Sequence, residues 1–372
     1  MKIKILKQNL IEGLDIVRRV SLKKLSLPIL STCLLEAEKN FLKISATNLE
    51  SGIIWRGLAK IEKEGKICVD VKFFHDVVSN VKDETIILEV ENHLLKIEGE
   101  NISLKIKGIN PEEFPIIPQK DFLEKIQISC EKLCESLSKI IHIPSPSLGR
   151  PEISGIYFSF EGNILKIVAT DSFRLAEKKI QLSSSLEKNY SFILSQNAAK
   201  EILGIFRKEE GELNLYFSPN QIFIESTAAE FSHPKIIFTS KLIEGEYPNY
   251  QEIIPKKFKT IIHLNKVEFL SHIKTASLFS GKINEVKLII NKNSGKLEIL
   301  SENPDYGEFK SQIFPKIEGE DIEISFNYKF LIEGLSSFEE REFDFFFTDP
   351  EGPAILKPSE NYFYILMPIK AS

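Results

Sequence analysis

Only four of the 372 residues are cysteine, two are methionine and one is tryptophan. Four cysteines are too few for a disulfide framework. Cys130 and Cys134 are four apart, on one face of a predicted helix, and no histidine pair has ligand spacing. Apolar filler is therefore the expected role of the thiols, and no metal or other cofactor is expected. Long apolar runs are also missing: charge breaks each one within about ten residues, too short for a membrane span. The first five residues alternate as a strand does and lack the apolar core of a signal peptide, so a cytoplasmic location is expected. Phosphate-binding glycine loops and nucleophile elbows are absent, and the six histidines are scattered. Asp171 with Arg174 is the one tempting acid–base pair, and that spacing fits a turn equally well. The expectation is a protein that is not an enzyme.

What is present is a repeat. Residues 41–48 (Phe-Leu-Lys-Ile-Ser-Ala-Thr-Asn), 164–171 (Ile-Leu-Lys-Ile-Val-Ala-Thr-Asp) and 296–303 (Lys-Leu-Glu-Ile-Leu-Ser-Glu-Asn) are alternating strands that end in small and polar residues. Leu42 and Leu165 lie 123 apart, and Leu165 and Leu297 lie 132 apart. A second landmark, a strand running into helical apolar spacing, begins at Val71, Ser195 and Asn327, which are 124 and 132 apart. Two independent landmarks keep one spacing, so the chain reads as three copies of one unit. Proline-rich stretches at 114–118 and 247–255 mark the boundaries, which gives domains of 1–120, 121–255 and 256–372.

Each copy reads as strand, helix, strand meander, strand, helix, strand meander. The first helices are predicted near 8–20, 130–142 and 266–279. Leu10, Leu14 and Val17 form an apolar stripe in the first of them. Helices gathered on one face of antiparallel sheets make an α+β layer. Such units in line form an arc, and its open sheet edges call for closure by a second copy.

The net charge is −5, which argues mildly against a nucleic-acid partner. The distribution points the other way. Lys and Arg against Asp and Glu give +3 over 7–24, +1 over 72–82, 0 over 131–142, +2 over 196–208, +2 over 265–282 and −1 over 327–341. The predicted helices thus total +7, and the remainder of the chain carries −12. A positive helical layer suits salt-sensitive contact with phosphates. Helices that place Lys and Arg on solvated faces would give the same count.

The run Val-Ala-Thr-Asp-Ser-Phe-Arg-Leu-Ala at 168–176 resembles a signature of the bacterial DNA polymerase III beta subunit, the beta sliding clamp family. Residues 238–250, Leu-Pro-Ile-Leu at 27–30 and Tyr-Ile-Leu-Met-Pro-Ile at 364–369 resemble further ones, and the likeness runs end to end. It implies three tandem repeats of the DNA-clamp fold, with helices on the inner face and sheets outside, forming half of a closed ring. It also implies a homodimer that encircles double-stranded DNA and tethers the replicative polymerase. The implied partners are the DNA polymerase III alpha subunit, the clamp loader delta subunit, and other polymerases and repair proteins that carry a clamp-binding peptide.

Carried over residue by residue, the partner-peptide pocket would use Ile153, Thr170, Ser172, Phe173, Arg174, Leu175, Pro248, Ile253, Pro353, Ile365, Met367, Pro368 and Ile369. Arg174 would orient the peptide, with an ion pair to Asp171 as the alternative. Leu175 and Ile365 also read as plain core. Phe173 stands where the family usually has histidine, and Glu252 where a basic residue is frequent. The DNA contacts would be Arg18, Arg19, Lys23, Lys24, Arg150, Lys200, Arg207 and Lys274. Gln196 and Asn197 replace a basic pair often found there. The dimer interface would pair Leu104 and Ile106 with Leu278 and Phe279, with burial inside one copy as the alternative.

Overall fold

The computed structural model describes residues 1–21, 27–118, 125–146, 149–226 and 233–370. The first repeat holds β1 (Lys2–Leu6), α1 (Lys7–Ser21), β2 (Thr32–Glu38), β3 (Phe41–Thr47), β4 (Ser51–Leu58), β5 (Lys60–Lys63), β6 (Gly65–Asp70), α2 (Val71–Asn80), β7 (Thr85–Glu91), β8 (Leu94–Glu98) and β9 (Ser103–Lys107). The second holds β10 (Lys125–Ser129), α3 (Cys130–Ile140), β11 (Gly155–Glu161), β12 (Ile164–Thr170), β13 (Arg174–Gln181), β14 (Tyr190–Ser195), α4 (Gln196–Phe206), β15 (Glu212–Phe217), β16 (Gln221–Ser226) and β17 (Ile236–Ile243). The third holds β18 (Thr260–Asn265), α5 (Lys266–Ser277), β19 (Glu285–Asn291), β20 (Lys296–Asn303), β21 (Gly307–Ile313), β22 (Lys316–Gly319), β23 (Ile322–Asn327), α6 (Tyr328–Ser336), β24 (Glu342–Phe347), β25 (Ala354–Ser359) and β26 (Tyr362–Leu366).

Local chemistry explains the element ends. The Asp70, Asn265 and Asn327 side chains accept the Phe73, Glu268 and Lys329 amides at 2.8, 3.2 and 3.0 Å, capping α2, α5 and α6. Gly319, at φ +107°, stands where the chain passes from β22 to β23, and a Cβ there would meet the Lys259 carbonyl oxygen at 1.9 Å. The α1 stripe is buried as expected, with Leu10, Leu14 and Val17 fully covered. Gly13 on the same helix leaves room for the single tryptophan: a Cβ on it would lie 2.5 Å from the buried Trp55 ring. All four cysteines are buried and free, and burial pushes the Cys68 thiol up to about 12.

The chain packs as two compact units, each made of two segments. One joins Met1–Cys134 with Asn197–Leu242, the other Glu135–Gln196 with Ile243–Ser372. The second repeat is divided between them because its strands hydrogen-bond to strands of its neighbours. In the first unit an antiparallel run passes β10, β15, β16, β17, β4, β3, β2, β6. Its β17–β4 joint pairs Phe238 with Ile53, Thr239 with Gly52 and Ser240 with Ser51. In the second unit a matching run passes β14, β11, β12, β13, β26, β25, β24, β18, β22. Its β13–β26 joint pairs Arg174 with Leu366, Leu175 with Ile365 and Ala176 with Tyr364.

Each unit has a second, smaller sheet: β5-β1-β7-β8-β9 in the first and β21-β20-β19-β23 in the second. The two joints obey one rule. The third strand of a repeat's first meander pairs with the last strand of the next repeat. Among the described residues β9 and β21 have no such partner and remain sheet edges.

Candidate functional site

The second unit carries the motif at 168–176 on the β12–β13 hairpin. The Thr170 hydroxyl donates to the Arg174 carbonyl at 2.8 Å, and an Asp171 carboxylate oxygen accepts the Phe173 and Arg174 amides at 3.0 Å each. These bonds hold Ser172 at φ +76° and turn Phe173 outward, where it is 62% exposed. The same turn occurs one repeat earlier, where Thr47 and Asn48 bond the chain around Leu49 at φ +72°.

Arg174 is buried and satisfied within the unit. It donates to Asp171 at 3.0 Å, to Glu333 on α6, to the Tyr364 hydroxyl and to the His142 carbonyl at 3.3 Å each, and it lies over the Phe330 ring. The ion pair with Asp171 is present, and Arg174 braces the hairpin against α6 and β26. His142 lies beside this network, its ring parallel to Tyr364 at 6.5 Å, with Nε2 buried and unpartnered. Burial, and then the Arg174 charge, push the His142 pKa below the ordinary histidine value.

Behind the turn lies an apolar cluster of Val168, Leu175, Tyr250, Ile355 and Ile365, with Tyr157, Tyr247, Ile254, Phe258, Phe346 and Phe363 packed on it. The Tyr157 and Tyr247 rings stack at 4.7 Å, and the Tyr250 hydroxyl donates to buried Glu177 at 2.6 Å. Leu175 and Ile365 are core, at 1% and 2% exposure. The expected pocket residues therefore divide. Ile153, Thr170, Arg174, Leu175 and Ile365 are buried support. Phe173, Ser172, Ile253 and Met367 are exposed, and Pro248, Pro353, Pro368 and Ile369 are half-buried. Met367 is tied to the turn, its amide donating to the Phe173 carbonyl at 2.8 Å. The aromatic residues, Glu177 and Glu333 were missed from sequence; the Tyr-Pro-Asn-Tyr run at 247–250 was the available signal.

Among the residues expected at DNA, Arg18 and Arg19 end α1, and Lys23 and Lys24 lie outside the described residues. Arg18 bridges to Asp15 at 2.8 Å and lies 3.3 Å from the His75 ring. Exposed Arg19 lies against α4, so close that a Cβ on Gly204 would meet its guanidinium, and Lys200 sits one turn away on that helix. Arg207 is exposed just past α4, and Lys274 is exposed on α5. Arg150 points to the hairpin, 3.4 Å from both Glu152 and the Ser172 hydroxyl.

Of the residues expected at the dimer interface, Leu104 is half-buried on the edge strand β9, and Ile106 is 5% exposed inside its own unit. Leu278, just past α5, is 71% exposed, and Phe279 stacks on Phe309 of edge strand β21 at 6.0 Å.

Three family models match the chain in succession. They are the N-terminal domain of the DNA polymerase III beta subunit over residues 1–118, the central domain over 127–249 and the C-terminal domain over 251–370. The chain belongs to the DNA polymerase III beta subunit family. Among the beta sliding clamps, that of Bacillus subtilis is 27% identical over the whole of both chains. That of Staphylococcus aureus is 25% identical over 96% of this chain and 95% of the relative. The crystal structure of the Bacillus subtilis DNA polymerase sliding clamp matches with a TM-score of 0.94 at 26% identity, and that of the Thermotoga maritima beta subunit with 0.90 at 26%, each covering both chains fully. The clamp fold is thus α+β, a threefold repeat of helices and antiparallel sheets. No described helix is long and apolar enough to cross a membrane.

Proposed function

We propose that this chain is half of a DNA polymerase III sliding clamp that acts by encirclement and tethering, without catalysis, in the cytoplasm. Each copy contributes three clamp domains, 1–120, 121–255 and 256–372. Two copies join head to tail, β9 of one to β21 of the other, and close a ring around duplex DNA. The observation that carries this reading is the joint rule: two internal joints follow it, and the two strands left over are complementary ends of the same rule. The helix joint agrees. Arg19 at the end of α1 meets α4 of the next repeat, and Leu278 occupies the corresponding place after α5 with its side chain uncovered. A second copy's α2 covers it.

Inside the ring, Arg18, Arg19, Lys23, Lys24, Lys200, Arg207 and Lys274 face phosphate without reading bases, which lets the clamp slide. On the outside, the exposed Phe173, Ile253 and Met367 receive a short apolar peptide from the polymerase alpha subunit, the clamp loader delta subunit or a repair protein. Two or three buried anchors at roughly 1.5–3 kcal/mol each, less ordering costs, give about micromolar affinity, weak enough for exchange of partners. Phe173 in place of histidine makes this rim more apolar.

The test is topological. Loaded on nicked circular DNA, the protein remains bound, and it is lost once the circle is linearised. Light scattering gives twice the mass of one chain. A monomer, or equal retention on circular and linear DNA, overturns the reading.

A further inference from the structure

The two joints are built from the same elements, so their rows of side chains correspond. Across the first, Leu34, Ser45, Ile54 and Ile237 stand side by side on β2, β3, β4 and β17. Across the second, Tyr157, Val168, Glu177 and Phe363 hold the matching places on β11, β12, β13 and β26. The first row lies on the sheet face opposite Trp55, whose ring packs against Gly13 of α1. Over it runs the segment Glu-Phe-Pro-Ile-Ile at 113–117, the counterpart of Glu-Tyr-Pro-Asn-Tyr at 246–250. A Cβ on Gly52 would lie 3.0 Å from the Ile117 side chain, so Ile117 covers Gly52 as Tyr250 covers its counterpart Leu175.

The two units fill this space differently. In the second, Tyr157 stacks on Tyr247 at 4.7 Å, Tyr250 meets both rings edge-on, and its hydroxyl donates to Glu177. In the first, leucine stands for Tyr157, phenylalanine for Tyr247 and isoleucine for Tyr250. A groove of about 710 Å³ is left between the segment and the sheet. Phe114 lines it, and among the described residues no ring lies against Phe114. Ser45 lines it too; the side chain is 3% exposed, and its hydroxyl has no hydrogen-bond partner among the described residues. Such a buried, unpaired hydroxyl is costly. Three carboxylates and three cations surround the groove, and Lys43–Glu36 and Lys66–Glu112 are already bridged at 2.7 and 2.8 Å.

We propose that this groove is a second binding site of the chain, and that it takes a tyrosine side chain presented by a partner protein. The ring occupies the place that Tyr157 holds in the other unit and stacks on Phe114, and the phenol hydroxyl pairs with Ser45. The size suits a small ligand, and stacked rings gain more than their buried area alone. An aliphatic side chain would fill the space but leave Ser45 unpaired. A charged one would lose its water beside Ile54 and Ile237 while the neighbouring charges balance. The proposal needs neither the ring nor the surface around Phe173.

The probe is N-acetyl-L-tyrosinamide, titrated into the full-length protein with isotope-labelled isoleucine methyl groups and followed by NMR. Ile54, Ile117 and Ile237 report on the groove, and Ile253 on the surface near Phe173. The expected result is a saturable shift of the three groove methyls with a Kd of about 1 mM, and binding of N-acetyl-L-leucinamide about tenfold weaker. Leu34→Tyr puts back the ring that the other unit has; it is expected to raise the melting temperature and abolish the shifts. Ser45→Val, the residue of the matching row, brings the tyrosine probe down to the affinity of N-acetyl-L-phenylalaninamide. No saturation by about 20 mM, equal binding of the leucine probe, or shifts that persist in Leu34→Tyr overturn the site. A shift of Ile253 alone assigns the ring to the Phe173 surface and overturns it equally. A preference for tyrosine that survives Ser45→Val overturns the hydroxyl contact.

Discussion

Leu175 of β13 stands opposite Ile365 of β26, so a residue of the second repeat and one of the third share a single apolar cross-strand pair. Neither is exposed, and both lie beneath Phe173 and Met367 rather than at the rim. The proposed docking surface is therefore a thin exposed layer over a buried apolar cluster. Phe173→Ser with Met367→Ala is expected to weaken binding of a clamp-binding peptide about tenfold, some 1.4 kcal/mol. The melting temperature and the dimer are left unchanged. Fluorescence anisotropy with a labelled peptide measures it, and unchanged affinity removes these two residues from the site.

Arg174 has a different role. Its guanidinium lies between Asp171 and Glu333, and removing it leaves buried Asp171 without its cation. Arg174→Ala is expected to cost about 3 kcal/mol of stability in urea. Any loss of peptide binding then follows from a loosened turn. Arg174→Ala with parental stability and reduced affinity would instead give the arginine a direct contact.

The repeat, the six helices and the hairpin turns were legible because each is a local pattern. Asp70 and Asn327 sit at helix starts, and Thr170 and Asp171 occupy the turn their chemistry favours. The ion pair of Arg174 with Asp171 was legible as one of two alternatives, but the rest of its surroundings was not. Its partners Glu333, Tyr364 and His142 come from distant stretches, brought together by strand pairing between repeats. Nor did the periodicity of Leu175 or Ile365 distinguish a groove wall from its floor, since both faces of β13 and β26 are covered at that point.

His142 predicts how stability follows pH. Its folded-state pKa is depressed, first by burial and then by Arg174, so below about 6.5 the unfolded chain binds a proton that the folded chain resists. Stability from this group is present above that pH and lost as pH falls through it. The melting temperature is expected to drop between about pH 7 and pH 5, and His142→Gln to flatten that part of the profile. An identical slope in the variant would show that other groups carry the dependence.

Arg19 and Lys200 lie on neighbouring helices of one unit, and Arg207 follows α4. Backbone phosphates attract such a cluster without regard to sequence, and each contact removed flattens the salt dependence by about one unit of slope. Lys200→Glu with Arg207→Glu is therefore expected to reduce retention on nicked circular DNA at about 50 mM salt and to matter little near 0.3 M. Adding Lys23→Glu and Lys24→Glu should deepen the loss at low salt. These substitutions leave β9, β21 and the hairpin untouched, so dimer mass and peptide affinity serve as internal controls. Retention that stays parental at low salt in the fourfold variant would rule out these residues as the phosphate-facing wall.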